Sequence, residues 1–141
     1  MNSLNPLDVM EQQEKFFSGN AINIKSLNKV YGIRKVELSK LLKCKRQQVN
    51  TIYSKTEYAP RSEIIQKKLL DMIKIYSILR VLLKTPESEK EKNELEEKIF
   101  QWFRLPNPAY PGAMSPFELV SEDKGNIVIR SLMDQLHGAA T

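Results

Sequence analysis

VELSKLLKCKRQQVNTIYSK, residues 36–55, reads as two short helices joined by a tight turn. Leu38, Leu42, Cys44, Val49 and Ile52 take the buried positions that two helices crossing at a wide angle require, and Ser39 is the small residue where they touch. Lys43 falls where such turns commonly carry glycine, and a left-handed lysine there costs about 1–2 kcal/mol. Cys44 serves as a small hydrophobe in the turn, an inert buried thiol. The solvent side of the second helix carries Lys45, Arg46, Gln47, Gln48, Asn50, Thr51 and Lys55. Arg pairs with guanine, and Gln and Asn with adenine, through paired hydrogen bonds in the major groove. Lys45 and Lys55 flank the run where phosphates would lie. Glu37 is the only acidic residue between positions 34 and 56. The pattern predicts a helix-turn-helix that contacts DNA. The alternative is a packing module whose polar face meets only water.

Helical spacing continues on both sides. Residues 21–31 place Ile24, Leu27 and Tyr31 on one stripe, with Gly32 where a helix would stop. Helices are expected over 36–42 and 46–54, and a long one over 61–84 after Pro60. In the long helix Ile65, Leu69, Met72, Ile73, Tyr76, Leu79 and Leu83 form one apolar stripe. Ile64, Ile75, Ile78 and Leu82 add a second face. A helix apolar on two faces is buried on two, so the second face calls for the back half or another subunit. Residues 85–98 are almost wholly polar and read as a solvated surface or loose connector. Leu95, Ile99, Trp102 and Phe103 then form a stripe on a short helix. LPNPAYPG, residues 105–112, has three prolines and is neither helix nor central strand. Ser115, Pro116 and Glu118 make a capping box that restarts helix. Gly125 ends that segment, and Asn126 caps a last helix bearing Ile129, Leu132, Met133 and Leu136, with Gly138 beyond it. No stretch alternates with the period of two that a half-buried strand shows. The expected fold is therefore all-α. Its layout is an N-terminal segment (1–20), a helix-turn-helix domain (21–60), a connecting and dimerising helix (61–84), a polar connector (85–94) and a C-terminal helical domain (95–141).

Composition narrows the function. The chain has 141 residues, 41% hydrophobic and 28% charged, with a net charge of +5. Residues 1–84 hold 16 Lys and Arg against 7 Asp and Glu, whereas residues 85–141 hold 6 against 10. A basic front half suits a polyanion, and an acidic back half suits protein contacts. No apolar run approaches the roughly 20 residues that span a bilayer. The N-terminus lacks the charged-then-apolar order of a secretory signal. One Cys and one His leave no disulfide framework and little for a metal site. A cytoplasmic protein without membrane, metal or cofactor is expected. There is no Gly-rich phosphate loop, HExxH or nucleophile-base motif, and the acidic residues lie in a solvated run, so an enzyme is not expected.

The order WFRLPNPAYPGAMSPFEL, then Gly125, then an amphipathic helix ending in LHG, resembles the toxin-binding domain of Xre/MbcA/ParS-type antitoxins. It matches at Trp102, Pro106, Asn107, Pro108, Gly112, Ser115, Pro116, Leu119, Gly125, Leu132, Leu136 and Gly138. The resemblance covers about residues 24–141. The sequence departs from the pattern in a loop one residue longer between Pro108 and Ser115, in Pro111 beside Gly112, in a longer acidic connector and in a final helix slightly short before Gly138. The resemblance implies a type II antitoxin that shields the active site of a cognate toxin, commonly a RES-type toxin that uses NAD. It also implies a homodimer that represses its own operon by binding operator DNA. The toxin contacts it points to are Arg130, Met133, Asp134, Gln135, His137, Gly138 and Ala139. Trp102 and Phe103 are expected to form the small core that holds the proline loop, and His137 to act as a helix C-terminal cation. The other readings are a freestanding regulator whose C-terminal domain dimerises or binds another ligand, and an interaction module with a structural helix-turn-helix.

Overall fold

A computed structural model describes the backbone of residues 6–140 and the side chains of residues 8–138. Its elements are α1 (Pro6–Glu14), β1 (Phe17–Ser18), β2 (Ala21–Ile22), α2 (Ile24–Tyr31), α3 (Lys35–Leu42), α4 (Arg46–Ile52), α5 (Glu63–Leu82), α6 (Glu89–Arg104), a 3-10 turn (Pro111–Ala113), α7 (Pro116–Ser121) and α8 (Gly125–Ala140). The fold is all-α apart from one small hairpin. There Phe17 pairs with Ile22 and Ser18 with Ala21, and Ile22 bridges on to Tyr58. Strands of two residues are too short to display alternation, so periodicity passed over them.

The helix starts follow local chemistry. Asn23 caps α2 by accepting from Ser26 N–H at 3.0 Å. Ser62 caps α5, and Ser115 exchanges bonds with Glu118 in the expected capping box. Gly32 ends α2 at φ 62°, and a Cβ there would sit 2.9 Å from the Phe100 ring, so the glycine serves both the turn and the approach of α6.

Three expectations need correction. The polar run after Pro86 is not a loose connector: Ser88 accepts from Glu91 N–H at 3.1 Å and opens α6 at Glu89. Its first two turns lack apolar periodicity because they pack against little, yet helix forms because the cap and Glu residues favour it. Gly125 does not end a segment; it begins α8, where a Cβ would lie 2.7 Å from Asp71 Oδ2 of α5. Gly138 likewise lies within α8 rather than after it.

α5 is the axis of the molecule. α8 and α1 pack on it most extensively, and α2, α3 and α7 also touch it. Of the second apolar face, Ile75 and Ile78 are fully buried within one chain, Leu82 is half-buried and Ile64 is exposed. Of the two covers expected, the back half or a second subunit, the chain's own helices supply this one, and among the apolar side chains of α5 Ile64 and Leu70 remain exposed. One hydrophobic core runs from Val9 to Leu136 without a break at the expected domain boundaries. Of the N-terminal segment, residues 1–5 lie outside the described residues, and α1 closes over α5 through Val9.

Candidate functional site

The helix-turn-helix is α3, the turn Lys43–Lys45, and α4. Leu38, Leu41 and Val49 are fully buried, with Leu42 and Ile52 nearly so. Lys43 adopts the left-handed conformation at φ 51° and ψ 46°. Ser39 holds the turn twice: its carbonyl accepts from Cys44 N–H at 3.2 Å, and its hydroxyl donates to the Cys44 carbonyl at 2.7 Å. Cys44 is half-buried rather than buried. Burial pushes its thiol up, with the Lys68 charge opposing, which disfavours the thiolate.

α2 fixes the far end of α4. The Asn28 amide donates to the Tyr53 carbonyl at 2.9 Å, and the Tyr53 hydroxyl donates to the Ile33 carbonyl. With Val49 and Ile52 turned inward, Lys45, Arg46, Gln47, Gln48, Asn50, Thr51 and Lys55 are all exposed. Lys45, Arg46, Gln47, Gln48 and Asn50 form no side-chain hydrogen bond or ion pair among the described residues. Thr51 differs, its hydroxyl donating to the Gln47 carbonyl of its own helix. Lys55 stands 6.0 Å over the Tyr58 ring. The face therefore offers donors and cations with no carboxylate to neutralise them.

Two junctions fasten α3, and with it α4, to the back half. At its start, Arg104 of α6 forks onto Glu37, Nε to Oε2 at 2.7 Å and Nη2 to Oε1 at 3.0 Å. The same guanidinium donates to the carbonyls of Tyr31, Gly32 and Phe100. Burial pushes the Glu37 carboxyl up, but the bonds from Arg104 and from Arg34 N–H, with the Arg104 charge, outweigh it and bring it down to about 2. At the end of α3, Lys68 of α5 is buried, its side chain 2% exposed. Its Nζ donates to the Leu41 carbonyl at 2.7 Å and to the Ser121 carbonyl at 2.9 Å. Both are last-turn carbonyls of helices, whose negative dipole ends suit a cation. Asp123 stands 3.8 Å away. Burial pushes this ammonium down from its usual range, chiefly against the pull of Asp123. Ser121 also donates to the Lys40 carbonyl at 3.0 Å, and Lys43 pairs with Glu122 at 3.4 Å on the surface.

Sequence reasoning named neither junction. For Lys68 a signal existed: it lies three residues after Ile65 and four before Met72, a lysine inside an apolar stripe. For Arg104 and Glu37, 67 residues apart, there was none.

In the back half, Asn107 is the pivot of the proline loop. Its side-chain Oδ1 accepts from Ala109 N–H at 2.9 Å, its carbonyl from Tyr110 N–H, and its own N–H donates to the Met114 carbonyl. Phe103 is fully buried, 4.4 Å from the Tyr31 ring and 5.9 Å from Phe117. It joins the two halves rather than holding the proline loop alone. Trp102 is half-buried and lies beside the loop.

The seven residues expected to meet a toxin do not form one surface. Val128, Leu132 and Leu136 turn α8 inward, so Arg130, Asp134 and His137 share its outer stripe, with Met133 half-buried at the margin. Gln135 faces sideways, lining a cleft with Trp102 and Leu132. Gly138 is exposed near the end of the helix, and the Ala139 side chain lies outside the described residues. The outer stripe mixes charges. The acidity of the back half lies instead on α6, which holds five of its ten acidic residues.

Among the described residues no three His, Cys, Asp or Glu side chains gather as a metal site, and no helix is long and apolar enough to cross a membrane. No family model, curated protein or solved structure matches this chain.

Proposed function

We propose that the chain is a type II antitoxin of the Xre/MbcA/ParS kind, non-enzymatic, which binds operator DNA through α4 and a cognate toxin through its C-terminal half. The observation that carries the DNA part is the face of α4, seven exposed polar residues with no carboxylate among them. It is held from three sides by α2, Arg104 and Lys68. The toxin part rests on the resemblance of residues 102–138, with the stripe of Arg130, Asp134 and His137 as the contact. A homodimer in the cytoplasm reading two half-sites about one helical turn apart completes the proposal. A toxin of the RES type, whose pocket accepts NAD, is the partner the resemblance favours.

Co-expression with the adjacent gene tests the toxin part. Deleting α8 would uncover α5 and unfold the chain, so the informative variant changes Arg130, Asp134 and His137 together to alanine. Growth arrest by the neighbour alone, rescue by the full chain and no rescue by the triple variant are the expected results. Undiminished rescue by the variant moves the contact off this stripe, and a harmless neighbour favours a freestanding regulator. For DNA, the log of affinity for the promoter fragment should fall with log salt by about 0.9 per phosphate contact. A packing module shows no sequence-specific binding at any salt.

A further inference from the structure

Between the last turns of α5, the middle of α6 and α8 lies a cleft of about 370 Å³, closed at one end by the proline loop. That volume falls in the range of small-molecule sites, about 300–1,000 Å³. Its floor is apolar: Leu79, Leu83, Ile99, Trp102 and Leu132. Its rim carries Lys98, Asn107 and Gln135. Asn107 Oδ1 already accepts from Ala109 N–H, so the Asn107 amide presents its N–H groups. The side chains of Lys98 and Gln135 have no partner among the described residues, whereas Ser131, also on the wall, is engaged with Tyr110. No carboxylate lines this cleft, although the neighbouring one on α6 is lined by Glu87, Glu89 and Glu96. A leucine-rich floor beneath one cation and two amide donors complements an apolar tail ending in an anion. We propose that the cleft binds a medium-chain aliphatic carboxylate, its tail on the leucine floor and its headgroup among Lys98, Asn107 and Gln135.

Trp102 is the chain's only tryptophan and lies in the cleft wall, so its fluorescence reports occupancy directly. The full chain is titrated with decanoate below its micelle concentration, with no toxin or DNA present, so the outcome is separate from that of the antitoxin reading. A saturable change in Trp102 emission is expected. Octanoate, two methylenes shorter, should bind about tenfold more weakly. Decanol, and decanoate with the variants Lys98→Met or Gln135→Leu, should each bind at least about threefold more weakly. Lys98 and Gln135 are exposed and unpaired, so both variants should keep the parent melting temperature. An emission that does not respond to decanoate overturns the proposal. So does equal binding of decanol, or of decanoate by Lys98→Met. A change that follows protein concentration rather than ligand places a second copy in the cleft and overturns it as well.

Discussion

The two ends of α3 are fastened by different cations in different ways. At the start, the planar Arg104 guanidinium meets a carboxylate and three carbonyls, so every polar group in the junction is answered and the Arg104 side chain stays 28% exposed. At the end, the Lys68 ammonium is buried against two carbonyls, with its nearest carboxylate 3.8 Å off. The first is an ion pair with satisfied geometry. The second is a buried charge stabilised mainly by helix ends, and so depends on neither helix moving. What this teaches is that the α3–α4 pair is not a detachable unit: both attachments come from outside residues 21–60.

The sharpest way to break the contrast is at Lys68. Lys68→Ala leaves the Leu41 and Ser121 carbonyls without their donor and opens a cavity beside Leu41; it should cost about 3 kcal/mol by denaturant unfolding. A loss under about 1 kcal/mol would mean the lysine is dispensable. Arg104→Ala should cost less, about 2 kcal/mol, because water can reach the site and Arg34 remains beside Glu37. Arg104→Lys should recover only part, since an ammonium cannot fork onto the carboxylate. In both cases Trp102 fluorescence, reporting on the back half, and helical circular dichroism should fall in one transition. Two separated transitions would show that the halves unfold independently.

A third effect depends on pH and belongs to one junction alone. Glu37 is held near 2 when folded, against 4.5 for the free group. The unfolded chain therefore binds the extra proton first, and this contribution is full above about pH 4.5 and lost as pH falls toward 2. Comparing the parent chain with Glu37→Gln across that window should show a pH-dependent difference in stability that shrinks in the Arg104→Ala background, where the bonds from Arg34 remain. The smallest change is in the turn. Lys43→Gly relieves a left-handed lysine but gives up the exposed pair with Glu122, and should stabilise by no more than about 1 kcal/mol. Measured destabilisation would assign Lys43 to the Lys68 junction rather than to the surface.

The parts of the molecule that were readable from the chain are those settled within one or two turns. The capping box at Ser115, the stop at Gly32 and the left-handed Lys43 each depend on neighbours three to five residues away. The outward set on α4 was legible for the same reason: once Val49 and Ile52 are inside, helix geometry turns the rest out. The candidate toxin residues were legible only in part, because α8 packs on α5 on one side and flanks a cleft on another, which separates Gln135 from Arg130, Asp134 and His137. Glycines misled where their reason was a neighbour. Gly125 looks like a stop in sequence, yet its role is to let α8 approach Asp71.

By itself the sequence determined that the chain is helical, where α3, α4 and α5 begin and end to within a turn, and which face of α4 meets solvent. These follow from backbone hydrogen bonding and side-chain periodicity, which act over a few residues. Only the tertiary structure decided that α1 and α8 cover α5 within one chain, that the polar run after Ser88 is helix, and that Arg104 and Lys68 bind the two halves into one core. Those outcomes depend on pairing groups 27 to 73 residues apart. Such pairs form because burying them unpaired would cost more than bringing them together, and nothing in the local pattern of either partner records the other.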